Sequence, residues 1–284
     1  MKSFVLAVIL LLMASGVNAQ AKKAKRDTLY TITMSKIRLV DGKPTTEFDI
    51  VNLKWADTLW HVSRDLDFTS TMAIKNYRWF FYDKNHNVTR FERYVNEKLD
   101  RRIVYQVENG LRQSCNHYML SKGDTILVRK DIFTRDAAGR VVKVKVTDGS
   151  GKTIASEVYG YDAKGNEVKK KAKMKVMLDA DSVLNRQSTY AYDSLGRIIK
   201  KAVKIKDADG TNTEQQFAYT YNKEGKLERT TRYDKAGKML DKEEIIYYSG
   251  RISQRKFYNA DGTLTENLAF RYRKFGASID NNMY

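Results

Sequence analysis

YAYDSLGRII, residues 190–199, is the stretch whose reading decides the fold. Tyr190 and Tyr192 stand two apart, so they share one face of an incoming strand. Asp193 follows at once, and its carboxylate can accept the backbone amide two residues on, which favours a type I turn. Gly196 comes three residues later, where a left-handed residue closes a hairpin through a G1-type bulge. Ile198 then begins the return strand. A helical reading fails, because an Asp-x-x-Gly every dozen or so residues would break each helix before it could propagate.

The same element recurs along the chain. It reads YGYDAKGNEV at 159–168, YTYNKEGKLE at 219–228, RYDKAGKML at 232–240, YYSGRI at 247–252 and FYNADGTLTE at 257–266. Upstream, FTRDAAGRVV (133–142) keeps the core, FYDKNHNVTR (81–90) is a degenerate copy without the glycine, and DADG (207–210) supplies a turn alone. The expected turn residues are Asp162, Gly165, Asp193, Gly196, Asn222, Gly225, Asp234, Gly237, Gly250, Asn259 and Gly262. Strands between turns are about eight to eleven residues, too short for βαβ crossovers and suited to an up-and-down meander. Val142, Val144 and Val146 alternate with Lys143 and Lys145; Phe217, Tyr219 and Tyr221 share a face. The expected fold is all-β, an antiparallel meander of short hairpin repeats forming a long twisted or curled sheet of about ten or more strands. Residues 28–77 read as a β N-terminal cap, 78–276 as the hairpin-repeat domain, and 277–284 as a tail. The tyrosine rows are expected to pack on the inner curve with their hydroxyls reaching the rim; exposed, they would offer stacking platforms for sugar rings.

Tyr-x-Tyr-Asp-x-x-Gly-Arg-Ile/Leu resembles the YD repeat of rearrangement-hotspot (Rhs) proteins and of teneurins. The resemblance covers residues 159–272 well and 78–146 loosely. It implies a spiralling antiparallel sheet acting as a shell or scaffold, often binding carbohydrate or enclosing a passenger toxin. The chain is shorter than a full shell and carries no C-terminal toxin domain, so the resemblance implies a small exported scaffold.

Export is read from MKSFVLAVILLLMASGVNAQ, residues 1–20. Lys2, the apolar run Phe4–Met13 and the small residues ending at Ala19 form a secretory signal, with an apolar run too short to span a membrane comfortably. No cysteine stands near the cleavage point, which excludes a lipoprotein. Residues 20–27 form a basic arm. The formal charge of +18 on 284 residues becomes +17 on 265 once residues 1–19, with their one lysine, are removed. Asp-Ser/Thr-aliphatic occurs at residues 27, 57, 124, 181 and 193, a pattern resembling an O-glycosylation motif of exported Gram-negative proteins and equally explained as turn chemistry. The expected location is the periplasm or the medium.

The chemistry-bearing residues are sparse. Cys115 is the single cysteine, which excludes an intrachain disulfide or a multi-cysteine metal site; the histidines are His61, His86 and His117. No HExxH, GxSxG, P-loop, GxGxxG or EF-hand pattern is present. Cys115 and His117 share a strand face, but nothing in the sequence supplies an orienting partner or an oxyanion hole, so they read as a half-buried cysteine beside a surface histidine. No catalytic, cofactor or metal residue is assigned, no cofactor is expected, and the chain is not expected to be an enzyme. Lys169, Lys170, Lys171 and Lys173 are the candidate anion-binding residues. The expected function is an exported non-catalytic repeat scaffold binding an envelope component, either an anionic polysaccharide or lipopolysaccharide or a partner protein. Nucleic acid is not expected, nor is a transmembrane span. The alternative is an outer-membrane β-barrel, set second because Lys200, Lys204, Lys242 and Arg255 interrupt any apolar band. A cell-envelope enzyme without a recognisable motif is a further alternative.

Overall fold

The computed structural model describes residues 30–56, 61–69, 74–96, 98–121, 124–175, 183–207 and 209–274. The signal-like segment, the basic arm 20–27, the tail 277–284 and the Asp-Ser/Thr-aliphatic sites at 27, 57 and 181 lie outside them. The first strands are β1 (Tyr30–Val40), β2 (Lys43–Ala56), β3 (Val62–Phe68), β4 (Ile74–Tyr82), β5 (Val88–Val95) and β6 (Lys98–Glu108). There follow β7 (Leu111–Ser121), β8 (Asp124–Arg135), β9 (Val141–Asp148), β10 (Thr153–Tyr161), β11 (Glu167–Lys175) and β12 (Val183–Tyr192). The last six are β13 (Ile198–Lys206), β14 (Asn212–Tyr221), β15 (Leu227–Asp234), β16 (Met239–Tyr248), β17 (Arg251–Asn259) and β18 (Leu264–Lys274).

Each strand pairs antiparallel with its sequence neighbours, and β1 pairs with both β2 and β18. Tyr30 stands opposite Ala56 on one side and Lys274 on the other. The eighteen strands therefore close into a ring, an up-and-down β-barrel with no free edge. The all-β hairpin meander of the sequence analysis is present, but the open sheet is not. Closure also overturns the resemblance to YD-repeat (Rhs) shells, because the chain is a closed barrel and not a spiralling repeat sheet. The physical reason lies in the range of the signal. Turn chemistry fixes each hairpin locally, whereas closure depends on tilt and stagger summed over all the strands. One-residue register shifts contribute to both; they recur beside the turns, for example at Ala191/Tyr192, Thr220/Tyr221 and Ile246/Tyr247. Residues assigned to a cap supply β1, the strand that joins the two ends of the sheet.

The repeat turns at Asp162, Asp193 and Asn222 lie at one rim, with those at Asp234 and Asn259 at the other. The Asp193 carboxylate accepts the amides of Leu195 and Arg197, both at 2.9 Å, and Asp162 does the same for Lys164 and Asn166 at 2.9 and 2.8 Å. Gly196 then adopts φ 77°, a left-handed conformation that a side chain disfavours. The tyrosine just before the turn has a separate task. Tyr221 Oη donates to the Ile198 carbonyl at 2.8 Å, Tyr192 to Glu167 at 2.6 Å, Tyr161 to Val141 at 2.7 Å, Tyr247 to Leu227 at 2.9 Å and Tyr82 to Val62 at 2.8 Å. Every acceptor is the first residue of the neighbouring strand. The β13–β14 ladder ends at Lys200↔Ala218, two residues short of Ile198, so the hydroxyl stands in for the next ladder donor. Arg140 and Arg197, from the turn before, lie 4.8 and 4.6 Å over the rings of Tyr161 and Tyr221. In these five tyrosines the hydroxyl is thus a tie between hairpins, whereas Tyr258, before the Asn259 turn, donates to Glu244 at 3.1 Å.

Burial is spread around the wall. Leu53, Trp55, Leu66 and Phe68 form one apolar cluster on β2 and β3, with Ile50 and Tyr77 against it. On the opposite face, Asn52 of β2, Asp65 and Asp67 of β3 and Arg78 of β4 bond to one another. Directly opposed residues share a face in an antiparallel ladder. By that rule Val146, Ala155 and Met174 share one face with Val144, Glu157 and Ala172. Val144, Val146, Ala172, Ser188 and Val203 are buried there, whereas Lys143, Lys145, Lys169, Lys171, Lys173, Lys200 and Lys204 on the other face are exposed.

Candidate functional site

The register of β7 with β8 assembles four chemically active side chains. Cys115 stands opposite Asp131 and His117 opposite Arg129, so alternation puts all four on one face. Cys115 Sγ lies 3.4 Å from His117 Nε2 and 3.6 Å from Asp131 Oδ2, and Nε2 lies 3.3 Å from the same Oδ2. Arg129 donates Nε to Asp131 Oδ1 at 2.6 Å and a terminal nitrogen to Oδ2 at 2.9 Å. Cys115 is 4% exposed and Asp131 8%, so the carboxylate is a buried charge with two basic partners. On the adjoining strands Tyr105 faces Cys115 and Val146 faces Asp131.

Asp131 is the partner that could not be read from the sequence, because it lies 16 residues from Cys115 across a hairpin. The legible signal was parity: once the β7–β8 pairing is fixed, its face follows. The geometry is not that of a nucleophile relay. In such a relay the base uses one ring nitrogen for the nucleophile and the other for the carboxylate. Here sulfur and carboxylate both meet Nε2. Three ligand-type atoms thus converge on one point, and among the described residues no other group of three His, Cys, Asp or Glu side chains does so.

The candidate anion-binding lysines divide. Lys169, Lys171 and Lys173 are exposed on one face of β11, while Lys170 turns to the other, bonded to Glu157 at 2.9 Å and lying 5.0 Å over the Tyr159 ring. Lys171 and Lys173 join Arg186, Lys204, Lys206 and Lys235 around a groove that also holds Glu214 and Asp234. Lys204 is paired with Glu214 at 3.1 Å. The expected turn residues stand at turns: Asn222 accepts the Glu224 and Lys226 amides at 3.0 and 2.9 Å, Asp234 those of Ala236 and Lys238 at 2.9 Å, and Asn259 that of Thr263 at 3.0 Å. Gly165, Gly225, Gly237, Gly250 and Gly262 occupy the corresponding positive-φ positions. Leu195, after Asp193-Ser194, is 74% exposed at its turn.

No family model matches the chain, and no curated protein does. Among solved structures it is similar to a porin-like protein from Bacteroides vulgatus, at 11% identity over 71% of this chain and 94% of that one, with a TM-score of 0.39. A porin-like protein from Bacteroides uniformis is 9% identical over 88% of this chain and 98% of that one, with a TM-score of 0.36. The TcdB2-TccC3-Cdc42 structure is 11% identical over 77% of this chain and 14% of that one, with a TM-score of 0.27. With superpositions this loose, the class of the chain, a closed antiparallel β-barrel, rests on its own strand register.

Proposed function

We propose that the chain is an exported β-barrel protein of the cell envelope, of the outer-membrane kind. Closure is the observation that supports this reading. In a ring of eighteen antiparallel strands every strand has two hydrogen-bonded neighbours, and a closed barrel is the form of sheet that satisfies its backbone without water. The even strand number, the up-and-down order and strands of 7 to 14 residues suit that class, in which roughly 9–11 residues cross the hydrocarbon. Among the described residues no helix is long and apolar enough to cross a membrane.

Charge favours a second reading, a barrel that stands in water within the envelope. Lys169, Lys171, Lys173, Lys200 and Lys204 are exposed on one face, and Lys170, Arg186, Lys201, Arg232 and Arg255 occupy the other. An inserted barrel sets one of these faces against lipid, where each Lys or Arg costs about 2–4 kcal/mol at the midplane. A barrel in water incurs no such cost and leaves the lysines to attract anionic polymer. Fractionation separates the two. Retention in the outer membrane after an alkaline wash, with stepwise conductance of the purified protein in planar bilayers, supports insertion. Recovery without detergent, with binding to lipopolysaccharide that weakens as salt rises and is reduced in Lys169→Gln/Lys171→Gln/Lys173→Gln, supports the aqueous barrel. Recovery without detergent and no such binding rejects both.

A further inference from the structure

We propose that Cys115, His117 and Asp131 form a binding site for a zinc-type divalent transition-metal ion, whether or not the barrel meets lipid. The spacing of the three atoms is the first support. A tetrahedral zinc with Zn–S about 2.3 Å and Zn–N or Zn–O about 2.0–2.2 Å has ligand–ligand edges of roughly 3.3–3.6 Å. The Sγ–Nε2, Nε2–Oδ2 and Sγ–Oδ2 distances are 3.4, 3.3 and 3.6 Å, so an ion can sit at bonding distance from all three. The donor set is the second support. Thiolate, imidazole and carboxylate together suit zinc and its transition-metal neighbours, whereas calcium and magnesium take oxygen.

Arg129 provides the outer contact that fixes the carboxylate. Its fork holds both oxygens of Asp131 and keeps Oδ2 directed at sulfur and imidazole. The strand register provides the rigidity, since the three ligands come from two adjacent strands locked by backbone pairing. Metal entry balances simply: the Cys115 thiol proton leaves to solvent, and His117 presents its Nε2 lone pair with the remaining proton on Nδ1. Three protein ligands leave the fourth tetrahedral position for water or an exchangeable ligand.

The test uses the chain from Gln20 onward, stripped with chelator and titrated with Co²⁺ and then Zn²⁺. Because Cys115 is the single cysteine of the chain, a thiolate-to-cobalt charge-transfer band in the near ultraviolet can come only from it. The expected result is that band together with the visible bands of tetrahedral cobalt, saturating at one equivalent and erased by zinc. Cys115→Ser should abolish the charge-transfer band and weaken zinc binding by at least the ~10-fold that outer-shell losses alone cost. A thermal melt of the variant without metal checks that it is folded. Absence of the charge-transfer band in the wild-type chain overturns the proposal without recourse to any variant. So does zinc binding of equal strength in folded Cys115→Ser.

Discussion

Replacing Tyr221 by Phe should lower the stability of the barrel by about 1 kcal/mol. The substitution removes one hydroxyl, whose 2.8 Å bond to the Ile198 carbonyl extends the β13–β14 pairing beyond its last ladder pair. A neutral hydrogen bond contributes about 0.5–1.5 kcal/mol net. The ring stays, so the Arg197 guanidinium 4.6 Å above it keeps its contact. Tyr221→Ala loses that contact as well, a further ~0.5–1 kcal/mol, plus the burial of the ring. Tyr82, Tyr161, Tyr192 and Tyr247 make the same tie. Along β9–β16 these ties recur every second strand, roughly 9–10 Å apart, a spacing at which effects add. Changing all five to Phe should therefore cost about 5 kcal/mol, comparable with the whole stability of a marginal domain. The assay is urea unfolding of the purified chain followed by circular dichroism, read as a lower midpoint at unchanged slope. Tyr248→Phe is the control, since that ring is 70% exposed and its change should be silent. A Tyr221→Phe midpoint equal to wild type, or a five-fold variant no weaker than the single one, would refute the tie.

Two further outcomes follow from the turns. Gly196→Val forces a β-branched residue to φ 77°, so it should destabilise by more than ~1–2 kcal/mol, whereas Gly196→Asn should cost less; equal melting temperatures for wild type and the Val variant would exclude the left-handed turn. Asp193 is held below the ordinary carboxylate range, chiefly by the Arg197 amide, with the Arg197 side chain and the Leu195 amide adding to it. A lowered folded value means that its contribution is present above the unfolded pKa and is lost as the pH falls through the folded one. Acidification below about pH 4 should therefore loosen this turn, while the Asn222 turn, which has no titrating group at that position, should not respond. Amide exchange at Leu195 and Arg197 against Glu224 and Lys226 measures the difference, and an equal response at both turns would exclude the carboxylate.

The sequence by itself determined the local architecture. YAYDSLGRII and its copies carry the turn residue, the left-handed glycine and the strand periodicity within ten residues, and each of these acts through contacts between near neighbours. The strand class, the hairpins and the positions of Gly196 and Asn222 were legible for that reason. What the repeated Tyr192 and Tyr221 were for was only half legible, because their acceptors Glu167 and Ile198 lie 25 and 23 residues upstream. Closure was not legible at all. The pairing of Tyr30 with Lys274 depends on twist, tilt and stagger accumulated over eighteen strands, and no short stretch encodes that sum. The same limit hid the Cys115–His117–Asp131 cluster. Alternation put Cys115 and His117 on one face, but Asp131 joins them only through the β7–β8 register, which backbone pairing sets in three dimensions.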